Sequence, residues 1–206
     1  MSIRSVAFNK PNSIGYVRIG LLVSGSVFAG NNWPAFVVCY LTSQVLDIAD
    51  GVVARMFNEC TEFGAVFDQI IDRHSTIFLY LAIVSRWPSL LLGVVAFAYL
   101  DIGGHWIHTL ASARTGTYHK DVPAEWNVLR WYYAKRWGMG LCHVSYEVFF
   151  TSLYVLSLVE GKQLTAVVKG LMVLSSPFML LKTYTNVLQG LWGCLRLIQE
   201  DVGKQQ

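Results

Sequence analysis

Four aspartates, an arginine and two glycines stand at fixed spacing in one short stretch: DxxDGxxAR from Asp47 to Arg55, eight residues, then GxxxDxxxD from Gly64 to Asp72. Asp47 and Asp50 are three positions apart and Asp68 and Asp72 four, so on two helices each pair projects from one face. Together they offer four carboxylates to a shared space. Oxygen-only donors suit hard divalent cations such as magnesium or manganese and disfavour zinc or copper, which prefer nitrogen or sulfur. Four ionised carboxylates carry about −4 and two divalent ions return about +4. The charge arithmetic therefore points to two cations that a pyrophosphate could bridge, as in two-metal phosphoryl transfer. The alternative is that one or more aspartates are protonated when no ion is bound.

The other residues of the stretch suit a phosphate ligand. Gly51 shares a helix face with Arg55, so the backbone can come close to a phosphate gripped by a planar, permanently charged guanidinium. Ala54 leaves room beside it, Gly64 opens the start of the next helix, and Thr61 offers a hydroxyl. Taken alone, Gly64 is as well explained by helix packing.

The elements that must hold these groups are apolar. The 206 residues are 54% hydrophobic and 14% charged, against about 25% charged in a soluble domain. A span needs roughly 20 residues, and the apolar segments 13–30, 34–56, 63–85, 89–115, 138–160 and 165–198 predict an all-α polytopic membrane protein with six transmembrane helices. Residues 1–12 read as a short N-terminal interfacial segment ending in a helix-start signal at Lys10-Pro11-Asn12-Ser13. No alternating strand pattern supports a membrane β-barrel. An aspartate at membrane depth costs about 2.5–3.5 kcal/mol, so four of them call for a function.

Residues 1–206 show no internal repeat and no second domain, so a single transmembrane domain is expected. The net charge of +3 is small and scattered, which argues against nucleic acid as a partner. Basic residues gather at the N-terminus, after the fourth segment and in the tail, which predicts that both termini and the aspartate end face the cytosol. Trp33, Trp87, Trp131 and Trp137 fall near predicted span ends, as interfacial anchors would. The stretch 116–137 is expected to lie along the cytosolic interface, with Lys120, Lys135 and Arg136 as topology signals or contacts to anionic lipid. Cys39, Cys60, Cys142 and Cys194 form no CxxC pair and read as small buried hydrophobes. No cleavable leader is evident, and the mature chain is expected to be the whole chain.

Two further groups lie outside the stretch. Asp101 and His105, four apart in the fourth segment, could form an intramembrane pair that shapes a polyol pocket or simply satisfies itself. His143 and Glu147 repeat the spacing in the fifth segment, and Lys182 in the sixth could neutralise a carboxylate or snorkel to the interface.

The eight positions Asp47, Asp50, Gly51, Ala54, Arg55, Gly64, Asp68 and Asp72 all match the motif of the CDP-alcohol phosphotransferase family, which the chain resembles. The segments from Pro11-Asn12-Ser13-Ile14 to Arg18, FGAVFDQIIDR (63–73), DIGGHWIH (101–108) and RWYYAKR (130–136) look like the branch of that family that uses myo-inositol, so the similarity covers about residues 11 to 190. The resemblance implies six transmembrane helices, a homodimer and a site open to the cytosolic leaflet, in the endoplasmic reticulum or the Golgi. It also implies that Asp47, Asp50, Asp68 and Asp72 ligate two divalent cations, magnesium or manganese. Gly51, Arg55 and Thr61 would contact the nucleotide and phosphates of CDP-diacylglycerol. Asp72 would serve as general base toward an inositol hydroxyl, with CMP expelled. Asn12, Ala54, Gly64, Asp101 and His105 are candidates for the surrounding shell or the acceptor pocket. Other acceptors, glycerol 3-phosphate or serine, and transfer of phosphocholine or phosphoethanolamine to diacylglycerol, stay open. An ion-coupled transporter is the reading from another class, and neither inverted repeats nor broken helices support it.

Overall fold

A computed structural model describes residues 2–114 and 126–204; the side chain of Arg136 and residues 115–125, with Lys120, lie outside the described residues. The described chain is helical, with no strand among the described residues. It divides into two compact units, residues 1–86 and 87–206.

The first unit holds α1 (Ile3–Ala7), α2 (Lys10–Phe28), α3 (Trp33–Met56) and α4 (Glu62–Arg86). Asn9 caps α2 by accepting from the Asn12 amide, with Pro11 in the first turn, so the helix begins a few residues before the predicted segment. Asn32 caps α3 in the same way, again with a proline in the first turn. After α3 the chain reverses through Asn58, whose φ of 53° is tolerated by asparagine better than by most residues. Two glycines let α2 approach its neighbours. A Cβ on Gly25 would stand 2.9 Å from Cys39 Cβ of α3, and one on Gly15 would stand 2.8 Å from the Phe67 ring of α4. Arg18 lies between these two close approaches.

The second unit holds a 3₁₀ turn (Pro88–Leu90), α5 (Leu91–Ala98), a π-helical turn (Tyr99–Gly103), α6 (Gly104–Arg114), α7 (Asn127–Ala134), α8 (Arg136–Leu156) and α9 (Lys162–Gly203). Helices α6 and α9 meet along small residues: a Cβ on Gly104 would lie 2.6 Å from the Asn186 carbonyl, and one on Gly193 would lie 2.8 Å from the His108 amide. This is the close backbone approach by which helices associate in a membrane. Pro177 inside α9 cannot donate to the Val173 carbonyl, and Ser176 Oγ donates to it instead at 2.9 Å. Short α7, in the stretch expected to lie at the interface, buries Leu129 and Tyr132 and exposes Trp131.

Among the described residues, four segments are long and apolar enough to cross a membrane: Trp33–Met56, Pro88–Arg114, Trp137–Leu156 and Lys162–Gly203. The protein is an integral membrane protein. Helices α2 and α4 have the length but carry the polar groups: Lys10, Asn12 and Arg18 on one, Asp68, Asp72 and Arg73 on the other. The cysteines are free, and only Cys142 is buried; Cys60 and Cys194 are exposed and Cys39 is intermediate, because apolar residues here also face outward.

In the second unit Lys182, expected to neutralise a carboxylate or to snorkel, does the first. Its Nζ donates to Asp101 Oδ1 at 3.0 Å, Asn186 Nδ2 donates to the same oxygen at 2.9 Å, and both charged side chains are almost fully buried. Lys182→Met should therefore lower stability by about 3–5 kcal/mol, because it strands a buried carboxylate. The double variant Lys182→Met/Asp101→Leu should recover most of that loss. Unfolding of the detergent-solubilised protein measures both.

Candidate active site in the first unit

The eight motif positions all fall on α3 and α4, and the structure brings their carboxylates to one place. Ligand oxygens of Asp47, Asp50 and Asp68 lie within 4.8 Å of one another. That the three come from two helices follows from the spacing: positions 47 and 50 share a face of α3, and position 68 shares a face of α4 with Asp72. Three hard oxygen donors at this separation can hold a divalent cation. The cluster is not sealed. Side chains of Asp47, Asp68 and Asp72 are 35%, 44% and 30% exposed, whereas that of Asp50 is 9% exposed.

Arg18 of α2 stands at the centre. Its Nη1 donates to Asp50 at 3.0 Å and Asp68 at 2.8 Å and forms an ion pair with Asp47 at 2.7 Å, and its Nη2 donates to Asp72 at 2.6 Å. The arginine itself is 0% exposed. One guanidinium thus holds all four motif aspartates, which would otherwise repel one another in a medium of low dielectric. The functional reading of the sequence did not single out Arg18. The signal was available, since an arginine within an apolar segment carries the same cost as the aspartates that drew attention.

Beside the carboxylates lies a cavity lined by Asp50, Gly51, Ala54 and Arg55 of α3, by Gly64 and Asp68 of α4, and by Asn12 and Thr61. Six of the eight motif positions therefore face one concavity, while Asp47 and Asp72 close the cluster around Arg18. Thr61 Oγ accepts from the Gly64 amide at 3.0 Å, capping the start of α4 and leaving its own hydroxyl proton free to be donated elsewhere. Gly64 serves packing as well as access, since a Cβ there would lie 3.0 Å from both Asn12 Oδ1 and Thr61 Oγ1 and would press on those side chains. At Gly51 a Cβ would meet only the Arg55 guanidinium, at 3.5 Å, so this glycine keeps space open beside the arginine.

The rim is tied down from α2. Asn9 Nδ2 donates to the Glu59 carbonyl at 3.2 Å, the Lys10 amide donates to Glu59 Oε2 at 2.8 Å, and the Lys10 ammonium lies over the Phe57 ring. Buried Asn12 donates to the Val6 carbonyl at 2.7 Å, which joins α1 to the cavity wall. Asp101 and His105 are placed in the second unit, where Asp101 is engaged by Lys182 and Asn186; His143 and Glu147 also belong to that unit.

The sequence has relatives. The chain matches the CDP-alcohol phosphatidyltransferase model over residues 8–188. It belongs to the CDP-alcohol phosphatidyltransferase family. A CDP-diacylglycerol–inositol 3-phosphatidyltransferase of Drosophila melanogaster is 32% identical over 95% of this chain and 88% of its own. One from Arabidopsis thaliana is 34% identical over 98% and 94%, and one from Homo sapiens is 33% identical over 86% and 85%. No solved structure matches the chain.

Asp68→Asn keeps side-chain volume while removing one charge and weakening one ligand. The variant should retain its helical content by circular dichroism. Its affinity for manganese, followed by electron paramagnetic resonance in detergent, should fall at least about tenfold, as losing a ligand costs no less than losing an outer-shell partner.

Proposed function

We propose that this family member transfers the phosphatidyl group of CDP-diacylglycerol to myo-inositol, giving phosphatidylinositol and CMP. The observation that carries the reading is the convergence of all four motif aspartates on one guanidinium beside a cavity walled by Gly51 and Arg55. The choice of inositol is supported by relatives of that name that align with this chain over most of both lengths.

On this reading Asp47, Asp50, Asp68 and Asp72 would hold two divalent cations, magnesium or manganese, whose charge would offset that of the pyrophosphate and the leaving group. Arg55 grips a phosphate with its fork, and Gly51 keeps the backbone out of the way. The free hydroxyl proton of Thr61 is donated to the nucleotide or a phosphate, and Asn12, Ala54 and Gly64 shape the wall around them. Asp72 takes the proton of an inositol hydroxyl as that oxygen bonds to the phosphorus bearing diacylglycerol. The bond from this phosphorus to the CMP oxygen breaks, and CMP departs. The hydroxyl becomes more acidic as attack proceeds, which makes a carboxylate an adequate base.

Within the membrane, α2 and α4 complete a set of six spans in one domain of residues 1–206, with a short interfacial segment before them. Their lower apolarity is the consequence of carrying Arg18, Asp68 and Asp72. The basic residues of the N-terminus and tail orient the site toward the cytosol. The working form is a homodimer in the endoplasmic reticulum or Golgi membrane.

Purified protein given CDP-diacylglycerol and labelled acceptors should incorporate inositol, and a chelator should stop the reaction until magnesium or manganese is restored. Incorporation of serine or glycerol 3-phosphate in place of inositol would overturn the acceptor assignment. Asp72→Asn should abolish turnover with the fold retained, and turnover at the unsubstituted rate would overturn its role as base and ligand.

A further inference from the structure

Arg18 occupies the point that three carboxylates share. Its Nη1 lies 2.7, 3.0 and 2.8 Å from oxygens of Asp47, Asp50 and Asp68. Those are hydrogen-bond distances to a nitrogen. A magnesium ion in the same place needs oxygens at about 2.0–2.1 Å, so the carboxylates would have to close in. The nitrogen and the ion cannot both stand there, and two cations in contact repel strongly in a partly buried site. The side chain also keeps a partner: Nη2 is bonded to Asp72 at 2.6 Å, so one carboxylate still holds the guanidinium when Nη1 leaves the other three. Its Nε is buried with no hydrogen-bond partner among the described residues, so turning the guanidinium breaks no bond there.

From this geometry we infer that Arg18 is a resident counter-cation that competes with divalent metal. It gathers the four aspartates before an ion arrives, and entry of the ion displaces Nη1 from Asp47, Asp50 and Asp68. The inference rests on the reading of the cluster as a metal site. Arg18 is on this account a positioning residue, acting through the carboxylates. It lets a helix bundle keep four acidic groups together in a membrane while leaving them able to exchange one cation for another. The competition carries a sign that a purely structural arginine would not have. Loss of the guanidinium charge should tighten metal binding and, at the same time, weaken the metal-free protein.

The test uses the full-length purified protein in detergent without substrate. Free manganese is measured by electron paramagnetic resonance, and thermal unfolding is recorded with chelator and with manganese. Arg18→Gln should bind manganese about tenfold more tightly than the unsubstituted chain, the direction set by removing a neighbouring like charge. It should unfold at a lower temperature in chelator and show a larger upward shift on adding manganese. A variant that folds only in the presence of manganese also supports the inference. Arg18→Lys, which retains the charge as a single ammonium without the two-pronged reach, should shift both readouts in the same directions by less. Should Arg18→Gln fail to fold under any condition, the lysine variant decides. Manganese affinity that is unchanged or weaker in the folded variant overturns the competition. The metal reading itself fails separately, and takes the inference with it, if the unsubstituted protein binds no manganese or if Asp68→Asn binds it equally well.

Discussion

Four ionised carboxylates gathered from two neighbouring helices repel one another unless a cation lies among them, and in this fold that cation is Arg18. Each unpaired carboxylate would be expensive at membrane depth, and each added neighbour makes ionisation of the others harder. A single planar guanidinium with parallel donors meets all four, which one lysine ammonium could not do with the same geometry. The rest of the first unit is arranged so that this side chain can reach its place. Gly25 brings α2 against α3 and Gly15 brings it against α4, and between them Arg18 projects into the space the two helices enclose. The contacts of Asn9, Lys10 and Asn12 anchor the start of the same helix to the cavity rim and to α1.

The second unit obeys the same rule to a different end. Asp101 is also an acidic group within an apolar segment, and Lys182 and Asn186 answer it. There the pair is nearly inaccessible, at 6% and 1% exposure, whereas three of the four aspartates around Arg18 stay a third or more open, or close to it. Burial separates the two cases: a sealed pair fixes one helix against another, and an open one can exchange its cation or meet a substrate. The glycine contacts at Gly104 and Gly193 and the serine that serves the carbonyl orphaned by Pro177 add close packing and backbone satisfaction in the same unit.

Hydropathy marks α3, the Pro88–Arg114 segment, α8 and α9 as membrane spans and passes over α2 and α4. The two helices it passes over carry Arg18, Asp68 and Asp72, the groups that meet the two aspartates of α3. Polar residues that make a site lower the apolarity of the elements that carry them. A motif at fixed spacing and a hydropathy profile therefore report different things: α3 carries Asp47 and Asp50 and still reads as a span, whereas α2 and α4 do not.

Much of this was legible in the chain. Helix positions followed from apolar runs and from the start signal at Lys10-Pro11-Asn12-Ser13, while the capping roles of Asn9 and Asn32 came from the structure. The pairing of Asp47 with Asp50 and of Asp68 with Asp72 followed from helical periodicity, and the eight-position motif carried the family on its own. What the sequence could not decide is which distant residue answers each buried charge. Asp101 had His105 at helical spacing, yet the structure also brings it Lys182 and Asn186, eighty-one and eighty-five positions away. Arg18 lies twenty-nine or more positions before the aspartates it holds, and nothing local marks it as their partner. Spacing within a helix is determined by covalent geometry and can be read directly. The partner of a buried charge is determined by which helix faces meet, and only the tertiary structure decides that.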